Sequence, residues 1–191
     1  LRRSPTLNPA QRRRALQKLA VALSGRDSVV ASESTFQTLI EEEFRAELRV
    51  MQPEDRRVRK EELFEDLRSS ATLTRAHGTK SDGWVFSHNS LREYLVAEFF
   101  LETLSRRNPA QINIPITLAM RSFSASISDV ESEMLIAVLA EIWPSRTGTN
   151  GLGPYLVLMW DAARRRVGGL RSALANITGG RAEDTLQLSL L

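Results

Sequence analysis

Residues 86–100 read FSHNSLREYLVAEFF, and inside this stretch the apolar residues change from the period of a strand to that of a helix. Ser90 and Glu93 have the Ser-x-x-Glu spacing of a capping box, in which each side chain accepts a hydrogen bond from the other residue's backbone N–H. We therefore predict structural capping roles for Ser90 and Glu93. The helix that follows is apolar on nearly every side, as expected of a helix buried between other elements. Its apolar residues are Leu91, Tyr94, Leu95, Phe99, Leu101 and Leu104.

Three helices are predicted before this stretch, because apolar residues there recur at helical spacing. They are expected at residues 9–25, about 35–50 and about 57–69. The second should carry an apolar stripe and end before Pro53. Its outer face places Glu41 four residues from Arg45, the spacing of a helical ion pair. The stripe consists of Phe36, Leu39, Ile40, Phe44 and Leu48.

A β-hairpin is predicted between the third helix and residue 88. Residues 72–76 and 83–87 alternate as strands do, and the polar segment HGTKSD at 77–82 supplies the turn. Three helices followed by a hairpin is the layout of a winged-helix domain. The sequence thus predicts a mainly α fold, with a winged-helix domain followed by an α-helical bundle or superhelical segment.

The downstream half is expected to be helical. Residues 112–120 could form a helix begun at Pro115 or an extended segment, and both readings stay open. Ser128 and Glu131 repeat the capping spacing and precede an apolar stripe that ends at Pro144. A loop at 144–153, a helix from Pro154 to about Val167 and a short helix at 170–177 complete the prediction. The stripe consists of Met134, Leu135, Val138, Leu139 and Ile142.

These assignments divide the chain into three parts. Residues 1–8 form an extended lead-in, residues 9–105 the winged-helix domain and residues 106–191 a helical domain. The chain opens with Leu1, without an initiator methionine or an apolar signal core. We therefore interpret it as a segment of a longer protein.

Composition excludes several classes of site. The 191 residues contain no cysteine, which rules out disulfides, thiolate zinc sites and cysteine nucleophiles, and suits a cytoplasmic protein. With only His77 and His88, no histidine-built metal site is expected. No apolar run is long enough to span a membrane. The net charge of +3 comes from interleaved acidic and basic residues, so nucleic acid is not an expected partner.

The stretch WVFSHNSLREYLVAEFFL at 84–101 resembles a motif of the NACHT-type signal-transducing NTPases, which are related to NOD-like receptors and bacterial antiphage sensors. In that family an aromatic strand and a histidine precede a helix of the form Ser-Phe-Gln-Glu-Tyr/Phe-Leu/Phe-Ala-Ala. Leu91, Arg92 and Val96 depart from the pattern. The helices and hairpin before it match the family's order, so the resemblance covers residues 9–105. The matching residues are Phe86, His88, Ser90, Glu93, Tyr94, Leu95 and Ala97.

The resemblance implies a role for His88 at the β-phosphate of ADP. The ADP would be bound by an NTPase domain of the same parent protein, and the contact would hold the resting state closed. A helix N-terminus favours an anion, and an imidazole N–H can donate to phosphate. The resemblance also implies a role in antiviral defence, with oligomerisation on activation. The alternative role for His88 is to fix the corner between strand and helix.

No catalytic residue is expected in this chain. Gly78 to Ser81 is only a fragment of a phosphate-binding loop and lies in the hairpin tip, so ADP or ATP would bind only together with the NTPase domain. Ser90 and His88 lie too close along a helix start to act as nucleophile and base. Two other functions stay open. One is a DNA-binding winged helix with Lys80 in its wing, although its third helix is acidic at Glu61, Glu62, Glu65 and Asp66. The other is a helical scaffold that recruits partners.

Overall fold

The chain is mainly helical in the computed structural model. The structure describes residues 7–25, 29–70, 72–76, 83–110, 112, 114–142 and 153–164. Within these ranges the helices are α1 Pro9–Ser24, α2 Glu33–Glu43, α3 Arg45–Arg49, α4 Pro53–Arg68, α5 Asn89–Ser105, α6 Leu118–Ser124, α7 Asp129–Ile142 and α8 Gly153–Arg164. The strands are β1 Leu73–Arg75 and β2 Trp84–Phe86. The predicted helix at 170–177 and the chain end lie outside the described residues.

The chain divides into two compact units, Leu1–Val96 and Ala97–Leu191. The division falls inside α5, whereas the sequence-based boundary was placed at the end of that helix, after residue 105. Each unit has its own buried apolar residues, and each is described by itself below.

α1 has the boundaries that the sequence predicts. Asn8 caps it by accepting from the Gln11 N–H at 2.9 Å, while the Gln11 side chain accepts from the Asn8 N–H at 3.2 Å. Pro9 occupies the first helical position, where its missing N–H costs nothing. The helix ends at Ser24 and Gly25 follows as the C-cap.

The predicted helix at 35–50 is two helices, because the backbone leaves helical geometry at Phe44 (φ −105°, ψ 19°). The predicted apolar stripe, from Phe36 to Leu48, is nevertheless buried throughout. The expected pair of Glu41 with Arg45 is wrong. The break puts Arg45 in the next helix, and Glu41 instead forms an ion pair with Lys60 of α4.

Pro53 begins a helix rather than only ending one. It is the first residue of α4, so this helix starts earlier than the predicted Arg57. The physical reason is that proline has its φ preset for the first helical turn and needs no N–H bond there. Leu63 and Leu67 of α4 are buried, and its Phe64 ring meets the Phe36 ring edge-on at 5.4 Å between centroids.

Two carboxylates connect α1 to α4 and to α2 in the first unit. Asp66 accepts from the Leu7 N–H and from the Arg12 guanidinium, both at 2.7 Å, which fixes the start of α1 on α4. The Glu43 side chain is only 3% exposed and pairs with Arg14 and with Lys18 of α1. Each of these carboxylates is therefore both neutralised and hydrogen-bonded, the condition for burying an acidic group.

The antiparallel pairing of the two predicted strands is confirmed, while the predicted turn at 77–82 lies outside the described residues. The second strand also has a partner that the sequence did not predict. β1 and β2 are antiparallel, with Leu73 opposite Phe86 and Arg75 opposite Trp84. On the other edge of β2, the Trp84 N–H and carbonyl both bond to Ala31, at 2.9 and 2.8 Å. Ala31 lies between α1 and α2. Because β1 pairs with one edge of β2 and Ala31 with the other, β2 is hydrogen-bonded on both edges.

Gly83 makes that double pairing possible. A Cβ atom on Gly83 would stand 2.4 Å from Cγ1 of Val30 and 2.7 Å from the carbonyl oxygen of Ala31. The second contact is with backbone, which cannot move without breaking the bridge to Trp84. Only a residue without a side chain allows this approach.

The second unit is centred on Tyr155 of α8, which is 1% exposed. Its ring packs edge-on against Phe100 at 4.9 Å. Its hydroxyl accepts from the Ala110 N–H at 2.6 Å and shares a hydrogen bond with Thr103 Oγ1 at 2.9 Å. Tyr155 thus fixes both the last turns of α5 and the segment after it.

The remaining helices of this unit partly match the prediction from the sequence. Ser128 Oγ accepts from the Glu131 N–H at 3.2 Å, which confirms Ser128 as a cap of α7. In the predicted stripe Leu135, Val138 and Leu139 are buried, but Met134 is 50% exposed. Ser132 takes a buried place instead, since its hydroxyl is satisfied by the Ser128 carbonyl. Residues 114–117 are not helical, and α6 begins at Leu118.

We predict that Gly83→Ala lowers the free energy of unfolding by about 1–3 kcal/mol, the usual cost of forcing atoms into a packed site. Equilibrium urea unfolding followed by circular dichroism measures it. Gly153→Ala is the matched control, because nothing lies within 4 Å of a Cβ there. Equal stability of the two variants would show that β2 does not approach Ala31.

We also predict that Tyr155→Phe destabilises the second unit by about 1–3 kcal/mol, because the half-buried Ala110 N–H loses its acceptor. Tyr94→Phe is the control: the Tyr94 hydroxyl accepts from Arg13 at 3.0 Å but lies at the surface, with the residue 38% exposed. Its loss should cost no more than about 0.5 kcal/mol. Thermal unfolding of both variants tests this, and a Tyr155→Phe variant as stable as Tyr94→Phe would contradict it.

Candidate functional site

The corner between β2 and α5 is held firmly on its strand side. Phe86, the last residue of β2, is buried at 8% exposure and pairs with Leu73. The next N–H, that of Ser87, still bonds to the Thr72 carbonyl at 2.9 Å. The backbone position of residue 88 is therefore fixed by the hairpin rather than by a free loop.

His88 is the first residue of the corner that leaves the sheet, and its side chain is exposed. Its carbonyl accepts from the N–H groups of Leu91 at 3.2 Å and Arg92 at 3.4 Å, so His88 itself holds the N-cap position of α5. The first N–H groups of a helix have no acceptor within the helix, and the positive end of the helix dipole lies there. The imidazole is thus presented to solvent beside a group of donors that favour an anion.

This geometry corrects the capping roles predicted for Ser90 and Glu93. α5 begins at Asn89, so Ser90 lies within its first turn, exposed, and Glu93 lies one turn on and is buried at 9% exposure. The Ser-x-x-Glu spacing is present, but the helix starts before it. The reason is that β2 ends at Phe86 and the last hydrogen bond to the other strand is made by Ser87. The helical hydrogen bonds then begin at the His88 carbonyl.

Arg92 is a further residue of this corner, which sequence analysis treated only as a departure from a motif. It lies four residues after His88, and residues at this spacing are neighbours on a helix surface. Arg92 is half-buried, and its Nε is enclosed without a hydrogen-bond partner among the described residues. Its charge reinforces the preference of the helix start for an anion. A cation one turn after the expected histidine was a signal that the sequence already contained.

On α4, the helix that a DNA-binding winged helix would use, Arg59 and Arg68 are already in ion pairs. Arg59 bonds to Glu47 at 2.7 Å and lies 3.4 Å from Glu62, and Arg68 pairs with Glu65. Paired arginines offer little to a phosphate backbone. Lys80, the residue expected in the wing, lies outside the described residues, as does His77.

The described residues hold neither a metal-binding cluster nor a membrane-spanning helix. Among those residues no group of three or more His, Cys, Asp or Glu side chains could hold a metal ion. None of the described helices has both the length and the apolar character required to cross a membrane.

Comparison with known proteins gives no relative. No protein-family model, curated protein or solved structure matches the chain. The exposure of His88 is the feature of the corner between β2 and α5 with the clearest chemical consequence.

Proposed function

We propose that the chain is a regulatory segment, a winged helix with following helices, of a signal-transducing NACHT-type NTPase. In the resting protein His88 donates a hydrogen bond to the β-phosphate of ADP held by the NTPase domain. The observation that carries the proposal is the placement of an exposed imidazole at the N-cap of α5, where another domain can reach it. The chain itself performs no catalysis, and hydrolysis belongs to the NTPase domain.

The order of elements supports the winged-helix part of the proposal. α1 is followed by Ala31, then by α2 and α4, then by β1 and β2. Ala31 is the first segment of the chain that pairs, and β2 is the last strand. β2 lies between Ala31 and β1, which is the strand order of a winged-helix sheet. α3 is an additional turn formed by the break at Phe44.

The chemistry of the corner supports a phosphate ligand. An imidazole N–H donates to a phosphate oxygen, and the first-turn amides of α5 point in the same direction as the helix dipole. For the contact to act as a switch, it must favour the ADP-loaded state over the ATP-loaded state. Movement of this segment when ATP replaces ADP would release it, and the helices after α5 would relay that movement to a sensor region and to oligomerisation.

The test is His88→Ala in the longer protein that carries the NTPase domain. A hydrogen bond to a charged group is worth about 1.5–3 kcal/mol, so ADP should dissociate about 10- to 100-fold faster. The variant should also signal without its stimulus. ADP retained after purification and its release rate are measured by chromatography and by exchange of labelled nucleotide.

Two further variants separate the phosphate contact from a structural role of the corner. His88→Gln keeps an N–H donor near the same position and should restore part of the ADP retention. Asn89→Ala changes the exposed neighbouring residue and should leave ADP release unaltered. ADP retention by His88→Ala equal to that of the wild type would overturn the proposal.

A further inference from the structure

A groove on the first unit is lined by four cationic side chains, three of which form no ion pair among the described residues. It lies where the end of α2, α3 and the first half of α4 meet, and it has a volume of about 440 Å³. Arg45, Arg49, Arg56 and Lys60 line it, together with Glu41 and Glu42. None of the residues of the His88 corner belongs to this lining, so the groove is a second site.

Lys60 is already neutralised. Its ammonium pairs with the Glu41 carboxylate, and this hydrogen bond and charge hold the pKa of Glu41 below its usual value. The carboxylate of Glu41 is therefore ionised, and it is paired with Lys60. Of the acidic residues in the groove, this leaves Glu42 against three arginines.

Among the described residues Arg45, Arg49 and Arg56 form no ion pair. Arg56 donates from Nη2 to the Met51 carbonyl at 3.2 Å, while its Nε is buried and makes no hydrogen bond within the same residues. By contrast, Arg59 of the same helix, α4, is bonded to a carboxylate.

This arrangement has an energetic consequence. Three like charges around one concave surface repel each other, and the enclosed Nε of Arg56 loses its hydration without compensation. A bound anion offsets the repulsion among the three guanidinium groups. Guanidinium groups bind phosphate with two parallel hydrogen bonds each, so three of them match a ligand with several phosphate oxygens.

We infer that this groove binds a small ligand that carries two or more linked phosphate groups. The size of the groove lies within the usual range of small-ligand sites, about 300–1,000 Å³. Its lining is mostly charged, which disfavours an apolar ligand. The inference does not depend on the role proposed for His88, since the two sites share no residue.

The probe is tripolyphosphate, titrated into the whole chain by isothermal calorimetry at low salt. The wild type should bind with a stoichiometry of one, and the affinity should fall as salt is added. The double variant Arg45→Gln/Arg49→Gln should lose at least about tenfold in affinity, because charge-assisted hydrogen bonds are removed. Both residues are exposed, so the fold should be retained.

Arg57→Gln is the matched control. Arg57 has the same charge and lies on α4 next to Arg56, but its side chain is 82% exposed and does not line the groove. This variant should bind within about twofold of the wild type, since Arg57 does not line the groove and its loss removes no hydrogen bond to the ligand. Arg56→Lys keeps the charge but not the planar donor fork, and should weaken binding more than Arg57→Gln.

Three results would overturn the inference. They are the absence of saturable tripolyphosphate binding, an equal effect of Arg57→Gln and the double variant, or tighter binding of a 20-base-pair DNA duplex with the same arginine dependence. The last result would assign the groove to a nucleic-acid surface rather than to a small ligand. A binding site for tripolyphosphate that excludes the duplex is the expected outcome.

Discussion

The backbone hydrogen bonds between Trp84 and Ala31 are the constraint on which the candidate site depends. They bond β2 on the edge that the hairpin leaves open, so the strand is held between two neighbours. A strand fixed on both edges ends at a defined residue, Phe86, and His88 follows at a defined place. The close approach of Gly83 to Ala31 is the steric condition for this pairing. A corner built in this way fixes the backbone of His88, so only its side chain has to be ordered when the proposed ligand binds.

Features set by local chemistry could be predicted from the sequence. α1 follows from Asn8, Pro9 and Gly25, and the hairpin from its alternation and polar turn, because caps and turns act within a few residues. The break at Phe44 and the helix start at Pro53 could not be predicted. Both depend on how α2, α3 and α4 pack, and a proline is compatible with the end of one helix and the first turn of another.

The two candidate sites also differ in how much of each could be predicted from the sequence. The position of His88 could be predicted because strand and helix periods meet next to it, whereas the capping position could not, since the Ser-x-x-Glu spacing fits a first turn as well as a cap. The arginine groove could not be predicted, because recognising it requires knowing which ion pairs form in the folded chain. Glu41 is four residues from Arg45 in sequence but pairs with Lys60 in space, which leaves Arg45 without it. An unpaired charge is a property of the fold rather than of composition.

The proposed contact between His88 and ADP is tested most directly by a structure of the proposed longer protein, with an NTPase domain, purified in the ADP-bound state. A ring nitrogen of His88 should lie about 2.7–3.2 Å from a β-phosphate oxygen, as for any hydrogen bond to phosphate. The N-terminus of α5 should face the same phosphate. An imidazole in open solvent, or packed on a surface remote from the nucleotide, would contradict the assignment.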